Sequence, residues 1–81
     1  MNIERMQFQG QLAELKKKFR NLDTEASGLV ILIRSLLSPY EEDLTKLETE
    51  KAVVSTSRLN KIVSEMKSVK MKIEKMEDEI D

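Results

Sequence analysis

Leu29-Val30-Ile31-Leu32-Ile33-Arg34-Ser35-Leu36-Leu37, followed at once by Ser38 and Pro39, decides how this chain folds. It opens with five large apolar residues in a row, while the sequence on both sides is charged and thinly apolar. A single helix stripe cannot hide it, because residues 29 to 33 point in every direction around a helix axis. The run is also too short for a membrane span, which needs roughly 20 apolar residues, and Arg34 interrupts it.

Upstream, apolar residues recur at Phe8, Leu12, Leu15, Phe19, Leu22, Ala26, Leu29, Ile33 and Leu36, in alternating steps of four and three. That spacing is a heptad seam. With positions lettered a to g, Leu12, Phe19, Ala26 and Ile33 take a, and Phe8, Leu15, Leu22, Leu29 and Leu36 take d. A helix of about 3–37 follows, with Gly10 and Gly28 as its weak points. Gly28 is read as a tolerated glycine rather than a site of close helix approach.

Pro39 forbids continuation, since it lacks an N–H and disfavours helical geometry at Ser38. Ser38-Pro39-Tyr40-Glu41 has the form of a capping box that would start a new helix, and Thr45-x-x-Glu48 offers a later start. The chain is expected to reverse over about 38–45 and to run in a second helix over about 46–80. Its seam reads Leu59, Ile62, Met66, Val69, Ile73, Met76 and Ile80. Extended backward the seam meets Ala52 and Ser55 while the bulkier Val53 and Val54 fall off it, so a register slip is expected between Val53 and Ser57, or a helix start delayed to near Thr49. With the turn centred on Glu41, Leu29 and Ile33 should lie beside 49–54, and Phe19 beside Ile62 to Met66.

The fold class expected is all-α: one domain over 1–81, an antiparallel helical hairpin of two long heptad helices assembling as a homodimeric four-helix bundle. At 81 residues the chain sits where a single core supplies little net stability and a staple is usual. With no Cys there is no disulfide, and with no His a zinc finger is excluded, so oligomerisation is the staple that remains. Leu29, Val30, Ile31, Leu32, Leu37, Val53 and Val54 are the expected oligomer interface. The partner is a second copy in a homodimer, with a tetramer as the larger alternative and another protein as a further one.

The formal charge of −1 gives no overall attraction to nucleic acid or to an anionic membrane. Locally, Lys16, Lys17, Lys18 and Arg20, with Arg58 and Lys61 across the hairpin, are candidate contacts for a nucleic-acid backbone in the alternative reading. The bland reading of the same lysines is a solvated flank whose stems cover the seam. Met66 and Met76 read as core filler, and Met71 lies off the seam. The acidic groups Glu41, Glu42 and Asp43 read as a helix start rather than a cation site, and Glu77, Asp78, Glu79 and Asp81 as a solvated end. Neither catalytic residues, a cofactor nor a metal is expected. Without His or Cys and with one Tyr, catalytic groups are poorly supplied and a non-enzymatic protein is expected; the start of the chain shows neither the basic region nor the apolar run of a signal peptide, so a cytoplasmic location is expected.

Two resemblances bear on function. In outline a long first helix in a small helical dimer looks like the all-helical chorismate mutases, whose sites use Arg and Lys. The corresponding cations here would be Arg20, Arg34, Lys46, Lys51 and Arg58, but no Arg-rich motif matches. Ala26-Ser27-Gly28-Leu29-Val30, Ile33-Arg34, Ser38-Pro39-Tyr40-Glu41 and the stretch from Asp43 to Ala52 together resemble small helical proteins of Mu-like prophages. That resemblance implies a small phage accessory protein and brings no site residue.

Overall fold

The computed structural model describes residues 3–80; Met1, Asn2 and Asp81, the last of the acidic end, lie outside the described residues. Helix α1 spans Ile3–Leu36, and helix α2 spans Thr49–Ile80. A three-residue 3-10 turn, Leu44–Lys46, lies between them, and no strand occurs among the described residues. The two helices pack on each other as a hairpin measuring 66 × 18 × 14 Å. A helix with its side chains is about 10–12 Å across. The hairpin is therefore one helix thick, and both of its broad faces are open.

Each residue of the first seam from Phe8 to Leu36 is buried or half-buried, and so is each residue of the second from Leu59 to Met76; the Ile80 side chain lies outside the described residues. The most buried of the described residues, Leu12, Ala26, Ala52, Ile62 and Val69, all stand on these two lines. The heptad spacing thus translates directly into the packing of α1 on α2.

Near the turn the structure departs from the expected register. No slip occurs between Val53 and Ser57: α2 is continuous, Ala52 is buried, Ser55 is half-buried, and Val53 and Val54 are left outside. Ala52 stands beside Leu37, and Ser55 beside Leu32 and Leu36, so small residues of α2 face large ones of α1 and the seam keeps one phase. Leu32 and Leu36 share a groove with Val54 and Ser55, while Phe19 lies between Met66 and Ile73. This is roughly one and a half helical turns further along α2 than a reversal centred on Glu41 would give.

The longer connection explains the shift. Ser38 does not cap a helix: its carbonyl accepts the Glu41 N–H at 3.3 Å and its hydroxyl the Tyr40 N–H at 3.3 Å, closing a tight turn over Pro39. Acidic side chains then satisfy backbone donors locally, Glu41 accepting from the Asp43 N–H at 3.1 Å and Asp43 from the Thr45 N–H at 3.1 Å and its hydroxyl at 2.6 Å. Such bonds compete with helix formation. Consequently α2 begins at Thr49, the delayed start that the sequence offers as the alternative, rather than near 46, with the Glu48 carbonyl accepting the Ala52 N–H at 3.1 Å.

Neither glycine is demanded by the packing. A Cβ at Gly10 or Gly28 would meet nothing within 4 Å, and neither has a positive φ. Gly28→Ala is expected to stabilise the hairpin by about 0.5–1 kcal/mol through helix propensity. Thermal denaturation should show a Tm higher by a few degrees, about 4–8 °C per kcal/mol for a domain of this size. A lowered Tm would mean that another helix does approach this position.

Candidate functional site: two unlike flanks of one hairpin

In an antiparallel helix pair the e positions of the two helices line one flank and the g positions the other. On α2 the seam assigns Ala52, Leu59, Met66 and Ile73 to a and Ser55, Ile62, Val69 and Met76 to d. Val53 is then b, Val54 c, Thr56 and Val63 e, and Arg58 and Glu65 g. Position f points away from the partner helix.

The g flank is laced by charge. Lys18 meets Glu65 at 3.0 Å and Glu25 meets Arg58 at 2.6 Å, both g-to-g pairs bridging α1 and α2. All four side chains are well exposed, so each pair contributes only about 0.2–1 kcal/mol. Their effect is on register and on what can lie against that flank. Among the described residues the large apolar side chains exposed on this flank, Leu32 and Val54, stand beside the turn, where they share a groove with Leu36.

The e flank is different in kind. A shallow groove floored by Phe19, Ala26, Leu59 and Met66 is walled by Val30 and Val63. Toward the turn it continues past Leu37, Ala52 and Val53, with the small polar Thr56 and Asn60 at its edge, and reaches Pro39 and Tyr40. Arg20, Arg34, Lys67 and Lys70 border this flank, and none has a carboxylate partner among the described residues. The ion pair on this side, Lys16 with Glu77 at 3.7 Å, lies at the end remote from the turn.

The expected interface residues are thus divided by the fold. Leu29 is half-buried in the intramolecular seam, whereas Val30, Ile31, Leu32, Leu37, Val53 and Val54 are all exposed. Val30, Leu37 and Val53 belong to the e flank, Leu32 and Val54 to the g flank, and Ile31, 70% exposed, stands at f on the outer edge. Tyr40, 91% exposed, joins the e flank although no periodicity marks it. Its one signal in the sequence is adjacency to the proline turn.

The six candidate nucleic-acid residues do not gather on one face. Lys16, Lys18 and Arg58 are held by Glu77, Glu65 and Glu25; Lys17 points outward at f, Lys61 lies on the g side and Arg20 on the e side. The density of lysines along the chain predicts a belt, but the heptad distributes neighbours around the helix and places carboxylates opposite three of the six. Of the residues matched to a chorismate-mutase site, Lys51 is taken up locally by Glu48 at 2.8 Å. Among the described residues no group of three or more acidic or other side chains is arranged to hold a metal ion, and no helix is long and apolar enough to cross a membrane.

Among the described residues two groups titrate away from their ordinary values. The Thr45 hydroxyl and then its backbone N–H hold the Asp43 carboxyl below the usual carboxylate range, and the hydrogen bond and charge of Glu48 push the Lys51 amine up. A depressed carboxyl pKa stabilises the folded chain above the ordinary value of about 3.9, and that contribution disappears as pH falls through the lower folded value. Asp43→Ala is expected to remove this component. A stability profile across the acidic range should show a shallower loss in the variant, and a profile unchanged from the native one would count against the turn's role.

No protein-family model matches the chain, and neither does any curated protein or solved structure.

Proposed function

We propose that the protein is a non-catalytic interaction module, a helical hairpin that pairs with a second copy to form a four-helix bundle. The observation that carries this reading is the apolar ring around the turn end, where Val30, Ile31, Leu32, Leu37, Val53 and Val54 are all exposed on a hairpin one helix thick. Size makes the same point. A compact monomer of this mass would expose roughly 5000 Å² and have a radius of gyration of about 12 Å. The hairpin exposes 6800 Å², with a Cα radius of gyration of 18.5 Å. The excess, about 1800 Å² per chain, is of the order that obligate homodimers bury. Fully burying one Val or Leu side chain is worth about 1.5–3 kcal/mol, so covering this ring outweighs any single surface ion pair.

Sedimentation equilibrium at micromolar concentration tests the reading. A dimer is expected, and a stable monomer overturns it. The resemblance of residues 26–52 to Mu-like prophage proteins suggests a phage accessory role as the biological setting, cytoplasmic in that case. A second reading, weak binding to a nucleic-acid backbone, is favoured by the unpaired Arg20 and Lys70, which share a groove with Lys16. Filter binding of duplex DNA at low and then rising salt separates the two, since phosphate contacts weaken steeply with salt.

A further inference from the structure

We propose that the second copy packs on the e flank, antiparallel to the first, so that the turn of each chain lies on the cationic groove of the other. This placement rests on the self-association reading and adds to it which face is covered and in what direction.

Three observations select the face. The g flank is crossed by the Lys18–Glu65 and Glu25–Arg58 pairs, and the large apolar side chains exposed on it among the described residues, Leu32 and Val54, both lie beside the turn. By contrast the e flank is apolar from Phe19 to Tyr40 on α1 and its turn, and from Val53 to Met66 on α2. From Arg20 to the end of α1 this amounts to about 24 Å of helix. Small residues, Ala26, Ser27, Ala52 and Thr56, line it, which lets a facing helix approach closely.

Charge selects the direction. Near the middle of the hairpin Arg20, Lys67 and Lys70 stand without a carboxylate partner among the described residues, and with Lys16 they outnumber the carboxylates Asp23, Glu74 and Glu77 that line the same grooves, while Glu41, Glu42 and Asp43 make the turn itself acidic. Turn-on-turn packing would bring like charges together at both ends. In the antiparallel arrangement a two-fold axis passes near Val30, and the relation is self-complementary, as a two-fold interface requires. The acidic turn of one copy then overlies Arg20, Lys67 and Lys70 of its partner, and Arg34 is brought toward the partner's Asp23.

The chain has no native cysteine, so single substitutions report the geometry directly. Under mild oxidation at micromolar concentration, Val30→Cys and Asn60→Cys chains should form disulfide-linked dimers. Leu32→Cys and Lys61→Cys chains, on the g side, should not, because bridged Cα atoms must come within about 7 Å. Tyr40→Cys should fail to link to itself but should link to Arg20→Cys in a mixture of the two. Circular dichroism confirms that each variant remains helical, and Asn60 and Lys61, both exposed neighbours, carry the comparison if an apolar variant misfolds.

Linkage through Leu32 and Lys61 instead of Val30 and Asn60 overturns the choice of face. Self-linkage of Tyr40→Cys overturns the antiparallel direction. A wild-type monomer in sedimentation overturns the self-association reading itself, whereas a wild-type dimer with the wrong linkage pattern overturns only the placement. As an independent readout, the double variant Lys67→Glu with Lys70→Glu should raise the dimer dissociation constant by about tenfold at low salt. Mixing it with Glu41→Lys, Glu42→Lys chains should restore association, and failure to restore it counts against the turn as the acidic partner.

Discussion

Val69→Asp is expected to abolish the folded state. Val69 is the most buried of the described residues, 3% exposed, and it faces α1 from a d position near the middle of α2. An ionised carboxylate there would lose its hydration without gaining a partner, because the ion pairs of the hairpin lie on its surface. A domain of this size has about 3–5 kcal/mol of net stability from one core, less than that penalty together with the lost apolar burial. The measurement is far-UV circular dichroism, where the helical signal should fall to that of an unfolded chain. Ile62→Ala is a milder change, at a residue that is also buried. It should cost about 2–5 kcal/mol and lower Tm sharply. Met71 is well exposed. Met71→Ala should accordingly stay within about 0.5 kcal/mol of the native protein. If Val69→Asp melted like the native chain, the heptad seam would not be the core.

That core was legible in the sequence because it is periodic. A heptad written in Phe, Leu, Ile, Val and Met specifies which side of each helix meets the other, and every described seam residue is covered accordingly. Two features were not legible, for physical reasons. The reversal looked like a capping box because Ser, Pro and Glu stand at the right spacing. Acidic side chains at 41 and 43 instead bond to backbone N–H groups two residues on, and that competition selects the later of the starts the sequence offers, near Thr49. Bulk also misled. Val53 and Val54 are larger than Ala52 and Ser55, and size suggested that the seam should follow them. The helices keep a single phase instead, filling the space with Leu and Ile from α1 and leaving both valines outside.

The flanks were half legible. Their composition can be read along the chain, but which residues share a flank depends on the register of α1 against α2, and that register moved by about one and a half turns with the length of the connection. Lys18 and Arg58, counted together as cations, are neutralised by Glu65 and Glu25 only because the observed register brings g positions into line. The same alignment leaves the floor of the e flank apolar between Phe19 and Leu37, with Arg20, Asp23, Arg34, Lys67 and Lys70 at its edges. An ion-paired flank and an apolar flank on one thin hairpin give an assembly a choice of two faces that differ in what each would bury.

The two displaced valines turn that choice into the sharpest comparison the molecule offers. Val53 and Val54 are adjacent, chemically identical and each 70% exposed, yet Val53 borders the e flank with Leu37 and Ala52 while Val54 borders the g flank with Leu32 and Leu36. Val→Glu at either site leaves the hairpin intact, because the side chain is exposed and Glu favours helix more than Val does. Their effects on association should separate completely. Val53→Glu forfeits about 1.5–3 kcal/mol of apolar burial and places a carboxylate in the interface, so the dimer dissociation constant should rise by about 10- to 100-fold or more. Val54→Glu should leave it within about twofold, a change corresponding to roughly 0.4 kcal/mol. Sedimentation across a concentration series of the two variants measures both constants. Equal weakening would mean that both flanks are buried, as in a tetramer. Weakening confined to Val54→Glu would move the interface to the ion-paired side, where two cross-helix pairs would have to be accommodated against a second chain.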